Sequence, residues 1–132
     1  MVDSKLYKEW FVMAQKDIRS AEILFEYDAD YGIVGFHCQQ AVEKYLKGYL
    51  LLQMGMLQEG HSLLRLCKKA STYESRFKDY VKDCTFLNTF YIETRYPAED
   101  PLVVEQEDAQ ECLRIAKSII EFVRVRVDTK NE

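Results

Sequence analysis

Glycine and proline are scarce in this 132-residue chain, five of one and two of the other, so little in it interrupts a helix. Cysteine is limited to Cys38, Cys67, Cys84 and Cys112, with no two at the close spacing of a zinc knuckle or a redox pair. Those thiols read as reduced, small apolar side chains. Only two histidines occur, and neither has a cysteine or carboxylate at ligand spacing, so no metal site is expected. A basic excess is also missing: the net charge is −4, which excludes an affinity resting on a broad cationic face for nucleic acid. No apolar run approaches the ~20 residues that span a bilayer. The N-terminus is polar and its first helix is charged throughout, which argues against a signal peptide. A cytoplasmic protein without membrane contact is expected.

What the chain does have is core material. Hydrophobic residues make up 48%, with seven Phe and nine Tyr besides Trp10, while 30% charged residues keep the surface polar. The length suits one domain, placed at 1–128, with a frayed tail at 129–132. Ser4 can cap a first helix to about Tyr27, with Leu6, Trp10, Met13, Ala14, Asp17, Ala21 and Leu24 facing inward. A second helix runs from about Tyr31 to Met54 and stops at Gly55. Gly60-His61-Ser62 opens a short third, with Leu63, Leu64, Leu66 and Cys67 apolar. The fourth is read from about Ser75 to Thr94, ahead of the breaks at Pro97 and Pro101. The last spans about Glu105 to Val127, with Ala109, Leu113, Ala116, Ile119, Ile120 and Val123 inside. Nothing alternates with period two. The reading is an all-α, up-and-down antiparallel bundle of four long helices and one short one.

Two segments carry polar groups where a core helix should be apolar. His37, Gln40, Lys44 and Lys47 follow spacings of three, four and three, so they share a stripe of the second helix, bordered by Glu43. On the fourth segment Tyr91 and Arg95 are four apart, with Tyr96-Pro97 directly after. Facing each other, the two stripes would form a polar pocket inside the bundle. A guanidinium there suits phosphate or carboxylate, because its donors form a planar fork. Each residue also has a plainer reading. Arg95 can be a helix-end cation favoured by the macrodipole. Glu43 and Lys47 can be a solvated i, i+4 pair. Gln40 can hold helix register, and His37 and His61 can be structural donors or, for His61, a cap. The rings of Tyr45, Tyr49, Tyr91 and Tyr96 suit core or interface, and Lys68, Lys69, Arg124 and Arg126 suit solvated faces.

The same residues carry a resemblance. Trp10 with Ala14, Asp17 and Ala21, then Gln39-Gln40-Ala41-x-Glu43-Lys44-x-x-Lys47, Gly60-His61-Ser62-Leu63 and Tyr91-x3-Arg95-Tyr96-Pro97 resemble the HEPN family over about residues 6–125. The resemblance implies a homodimeric helical bundle that binds nucleotides. It further implies a minimal nucleotidyltransferase as partner, commonly in a toxin–antitoxin pair. On it, Arg95 contacts phosphate, Lys44 or Lys47 adds charge, and Tyr91, Tyr96, Gln40, Glu43 and His37 complete the pocket, with no cofactor. Many relatives are instead metal-independent ribonucleases, in which four to six residues separate the Arg from a His. Here the corresponding positions hold Asp100, Pro101 and Leu102, so the ribonuclease motif is absent. Two alternatives therefore stay open: an RNA-cleaving enzyme using Arg95 with His61 or His37, and a purely structural helical interaction domain.

Overall fold

The computed structural model describes residues 6–91, 97 and 103–130, with 129 and 130 as backbone alone. Ser4, Arg95 and Tyr96 lie outside these residues. Five α-helices occur among them: α1 (Tyr7–Glu26), α2 (Tyr31–Met54), α3 (Leu63–Ser71), α4 (Val81–Asn88) and α5 (Gln106–Lys130). The architecture is all-α, with no strand among the described residues.

Helix α2 is the axis of the bundle. Apolar or buried on almost every side, it can be satisfied only by neighbours all round. It packs on α1 and α5 along its length and on α3 and α4 at one flank. Asp30 starts it by accepting the Ile33 N–H at 3.0 Å. Gly55 ends it in the left-handed region, φ 68°, with its N–H on the Leu51 carbonyl. Both ends fall where the sequence places them.

The inner face of α1 does so only in part, at Ala14 and Ala21. Tyr7, Ala14, Ile18 and Ala21 are buried, and Phe11 and Phe25 pack beside them. Their alternating four- and three-residue spacing makes a continuous apolar seam. Leu6 and Met13, expected inside, are exposed, and Trp10 and Leu24 only flank the core. The expected stripe contains Asp17, whereas the seam one residue further on is apolar throughout, so the helix turns that seam inward.

The fourth helix is also shorter than the pattern suggests. Ser75–Tyr80 forms a 3-10 segment, and α4 proper covers only Val81–Asn88. Within the first part Phe77 alone is fully buried, packed on Tyr49 and Phe122, so a single anchor and no helical face fixes it. At the far end the N–H groups of Thr89, Phe90 and Tyr91 all bond three residues back, tightening the last turn. The Thr85 and Thr89 hydroxyls donate to the Val81 and Phe86 carbonyls. Helix α5 buries the six residues expected of it and continues to Lys130. Arg126 departs from the solvated-face reading: it lies over the Phe122 ring, 3.3 Å from its centroid, and reaches Glu74 at 3.3 Å.

Gly35 lets the turn that follows α4 approach α2. A Cβ there would stand 2.7 Å from Phe90 Cδ1 and 3.2 Å from Phe90 Cβ, an atom that a rotamer change cannot remove. Gly35→Ala is therefore expected to lower stability by about 1–3 kcal/mol in urea unfolding, despite the better helix propensity of alanine.

The cysteines behave as small hydrophobes. All four are free and fully buried. Burial pushes the Cys112 thiol up to about 12 and raises Cys38 as well. Native protein is expected to leave all four unreacted with a thiol-titrating disulfide reagent over minutes, and guanidinium to release all four. Rapid reaction of even one thiol in the native state would contradict this packing.

Candidate functional site

The polar residues of α2 fall into two groups. Residues 39, 43 and 47 stack at four-residue intervals on the flank toward α3, whereas 37 and 44, nearly two full turns apart, superpose on the flank toward α1.

Glu43 is the centre of the first group and is only 4% exposed. Its Oε2 accepts from Lys47 Nζ at 3.2 Å and its Oε1 from Gln39 Nε2 at 3.2 Å. His61 Nδ1 lies 3.2 and 3.1 Å from the two carboxylate oxygens. Paired with Lys47, the carboxylate only accepts, so Nδ1 is the protonated nitrogen, and among the described residues Nε2 meets no partner. Gln39 also donates to the His61 carbonyl at 3.3 Å, and Gln40 Nε2 to Gln39 Oε1 at 2.8 Å. Lys47 is itself buried and lies 5.9 Å from the centroid of Trp10.

The chain around His61 is held from several directions. Ser62 caps α3 by accepting the Arg65 N–H at 3.2 Å. The Leu63 N–H donates to Asn88 Oδ1 at 2.9 Å, fastening the start of α3 to the end of α4. Tyr91, three residues on, stacks on the imidazole with ring centroids 4.6 Å apart and planes 20° apart. Phe36 lies beyond Tyr91 at 6.2 Å. The two polar stripes thus meet through His61, whose side chain stays 52% exposed.

The second group is centred on Asp17. His37 Nδ1 lies 3.2 Å from Asp17 Oδ1, and Lys44 Nζ donates to Oδ2. Burial alone would raise the Asp17 carboxyl. Hydrogen bonds and charge from His37 and Lys44 outweigh it and hold the group below its ordinary range. A carboxyl depressed in the folded state stabilises above its unfolded pKa, and that stability is lost as pH falls through the folded value. Asp17→Asn is therefore expected to flatten the loss of stability below about pH 4. It should also cost about 1–3 kcal/mol at neutral pH. Urea midpoints between pH 7 and 2.5 check both, and an unaltered acid limb would refute the assignment.

Of the residues singled out in the sequence, the structure joins Glu43, Lys47, Gln40, His61 and Tyr91 in one network and puts His37 and Lys44 in another. Arg95 and Tyr96 lie outside the described residues. Two further residues belong to these networks although the sequence pattern gives them no place in the pocket. Asp17 is legible as a lone carboxylate on an otherwise apolar stripe, which calls for a cation. Gln39 is legible as an amide one turn before Glu43. Among the described residues no buried side-chain nitrogen or oxygen lacks a partner, and no group of His, Cys, Asp and Glu is arranged to hold a metal ion. No described helix is long and apolar enough to cross a membrane.

The family model of the HEPN domain matches residues 7–126. A solved structure of TT1696 from Thermus thermophilus is 32% identical, with a TM-score of 0.78 over 90% of this chain and 96% of that one. ST0689, described as an archaeal HEPN homologue, is 26% identical, with a TM-score of 0.74 over 96% of this chain and 99% of that one. No curated protein matches the chain.

Proposed function

Because the chain belongs to the HEPN domain family, we propose that it is a nucleotide- or phosphate-binding module whose site is built around His61 and Tyr91. One observation carries this reading. A half-exposed imidazole is fixed by a buried carboxylate on one nitrogen and by an aromatic ring on one face, with its second nitrogen unspent among the described residues. Rigid placement of that kind prepares a ligand contact rather than a packing contact. Arg95, four residues past Tyr91, supplies the guanidinium for a phosphate. Lys44 and Lys47, turned to Asp17 and Glu43, balance those carboxylates so that the site is not repulsive to an anion.

Family membership also supports a homodimer in the cytoplasm that acts with a minimal nucleotidyltransferase in a toxin–antitoxin system. Sedimentation of the purified chain is expected to give twice its monomer mass. Co-expression with a minimal nucleotidyltransferase from the same host is expected to give a complex that survives gel filtration. A monomer, or two separate peaks, would remove that part of the proposal.

The Glu43–His61 pair favours one second reading, metal-independent RNA cleavage. An imidazole whose Nδ1–H is held by a carboxylate has Nε2 available to take the proton of a ribose 2′-hydroxyl, worth roughly 10²–10⁴-fold in rate. Cleavage of RNA in EDTA that disappears in both His61→Ala and Arg95→Ala would establish it. Cleavage that persists in both would point to a contaminant.

A further inference from the structure

We propose that two copies of this chain associate, with their α1 helices antiparallel, through the stripe of α1 that the fold leaves outside and the row of α2 beside it. The inference rests on the homodimer reading and goes beyond it: it assigns the face, and it places His37 and Lys44 at that face rather than in the ligand pocket.

Helix α1 carries two apolar stripes and spends only one on the core. The other runs through Leu6, Trp10, Met13, Asp17, Ser20 and Leu24, at alternating intervals of four and three. Leu6, Met13 and Ile23, the neighbour of Leu24, are between 39% and 47% exposed. Among the described residues no other helix shows as many large apolar side chains to solvent. Scattered singly, such residues need no explanation. Lined up along one edge of a helix, they mark a contact surface.

Helix α2 opens along the same edge. Ile33, His37, Gln40 and Lys44 follow spacings of four, three and four, and each is only half-buried in a stretch where most residues are buried. His37 and Lys44 both reach Asp17, which holds this row beside the α1 stripe. The result is a two-helix face, apolar at Met13, Ile23 and Ile33, with its central charges paired to each other.

Size and charge favour a second copy as the occupant. Residues 6–24 span about 27 Å of α1, and two helices packed about 9 Å apart make a face roughly 20 Å wide, about 500 Å² in projection. The relief of the side chains raises accessible area above that, toward the ~600–1,000 Å² that each partner buries in a standard interface. Helix α1 alone would supply half as much. Asp17 and Lys44 neutralise each other, so the centre of the face presents no unpaired charge to its own copy. Glu9 and Lys16, exposed on the outer edge, enter no ion pair among the described residues. Seven residues separate them on α1, too many for pairing within one helix. A two-fold axis beside Met13 sets each against the other in the second copy, because a two-fold interface pairs one patch with itself.

Sedimentation of the purified chain over a concentration series tests this face. The wild-type chain should be a dimer. Met13→Glu and Ile23→Glu, at exposed positions, should each weaken it at least about tenfold with an unchanged circular dichroism spectrum. Val125→Glu on α5 and Tyr73→Glu just after α3, at positions of like exposure, should leave it intact. Glu9→Lys and Lys16→Glu should each weaken the dimer, and the two together should restore it, since the pair is then reversed in both copies. A soluble nitroxide added to the wild-type chain should broaden the methyl signals of Val125 and spare those of Met13 and Ile23. A monomeric wild-type chain would remove the homodimer and this face together. A dimer indifferent to Met13→Glu and Ile23→Glu, or broken by Val125→Glu or Tyr73→Glu instead, would overturn this face and leave the homodimer standing. Weakening that persists in the Glu9→Lys, Lys16→Glu double variant would overturn the antiparallel arrangement.

Discussion

Glu43→Ala is expected to lower the unfolding free energy by about 3–5 kcal/mol, because it leaves the buried Lys47 ammonium without its counter-charge. Gln39 and His61 lose their acceptor in the same step, so three donors are stranded at once. Urea unfolding with tryptophan fluorescence measures this directly, since Trp10 lies beside Lys47. A cost below about 1 kcal/mol would mean that water reaches these groups and the network is not buried. The double variant Glu43→Leu, Lys47→Met tests the cause. Replacing a buried ion pair by apolar side chains of similar size is often close to neutral, so most of the lost stability should return. The double variant should nevertheless leave His61 unanchored, and it separates what the network does for the fold from what it does for the site.

The second large effect is on ligand affinity. Tyr91→Ala is expected to weaken ATP binding by roughly 5–150-fold, the range of one aromatic stacking contact. His61→Ala should act in the same direction. Both residues sit at the rim, His61 half-exposed and Tyr91 part-buried, so neither change should cost more than about 1.5 kcal/mol of stability. The pattern distinguishes the two residues from Glu43, whose loss damages fold and site together. If Tyr91→Ala lowers stability strongly and leaves ATP affinity unchanged, the stack on His61 is packing alone. The reading of these residues as a purely structural network would then take over.

Helix α2 was fully legible because its ends are chemical: Asp30 as cap, Gly55 as the left-handed stop, and a helix-forming run without proline between them. The register of α1 was not. Two adjacent stripes of that helix are both rich in apolar residues, and only the partner surface on α2, with Gly48 admitting Phe11, decides which turns inward. The Ser75–Tyr80 segment misled for a related reason. Phe77 has the right spacing for a helical face but is its only fully buried member, so the backbone settles into a tighter local turn.

In the site, Glu43, Lys47 and Tyr91 were readable as misplaced polar groups. The link between them was not, because His61 comes from a loop 18 residues after Glu43 and reaches it only through the fold. The division of the α2 stripe into an Asp17 group and a Glu43 group was equally hidden. Spacing along one helix cannot say which neighbour each side chain meets.

A calorimetric titration of the purified chain with ATP, beside His61→Ala and Arg95→Ala of verified fold, tests the central claim most directly. The account predicts saturable binding by the wild-type chain, weakened at least fivefold in the first variant and lost in the second. Absence of binding by the wild-type chain, or equal binding by all three proteins, would contradict a nucleotide site at His61 and Tyr91.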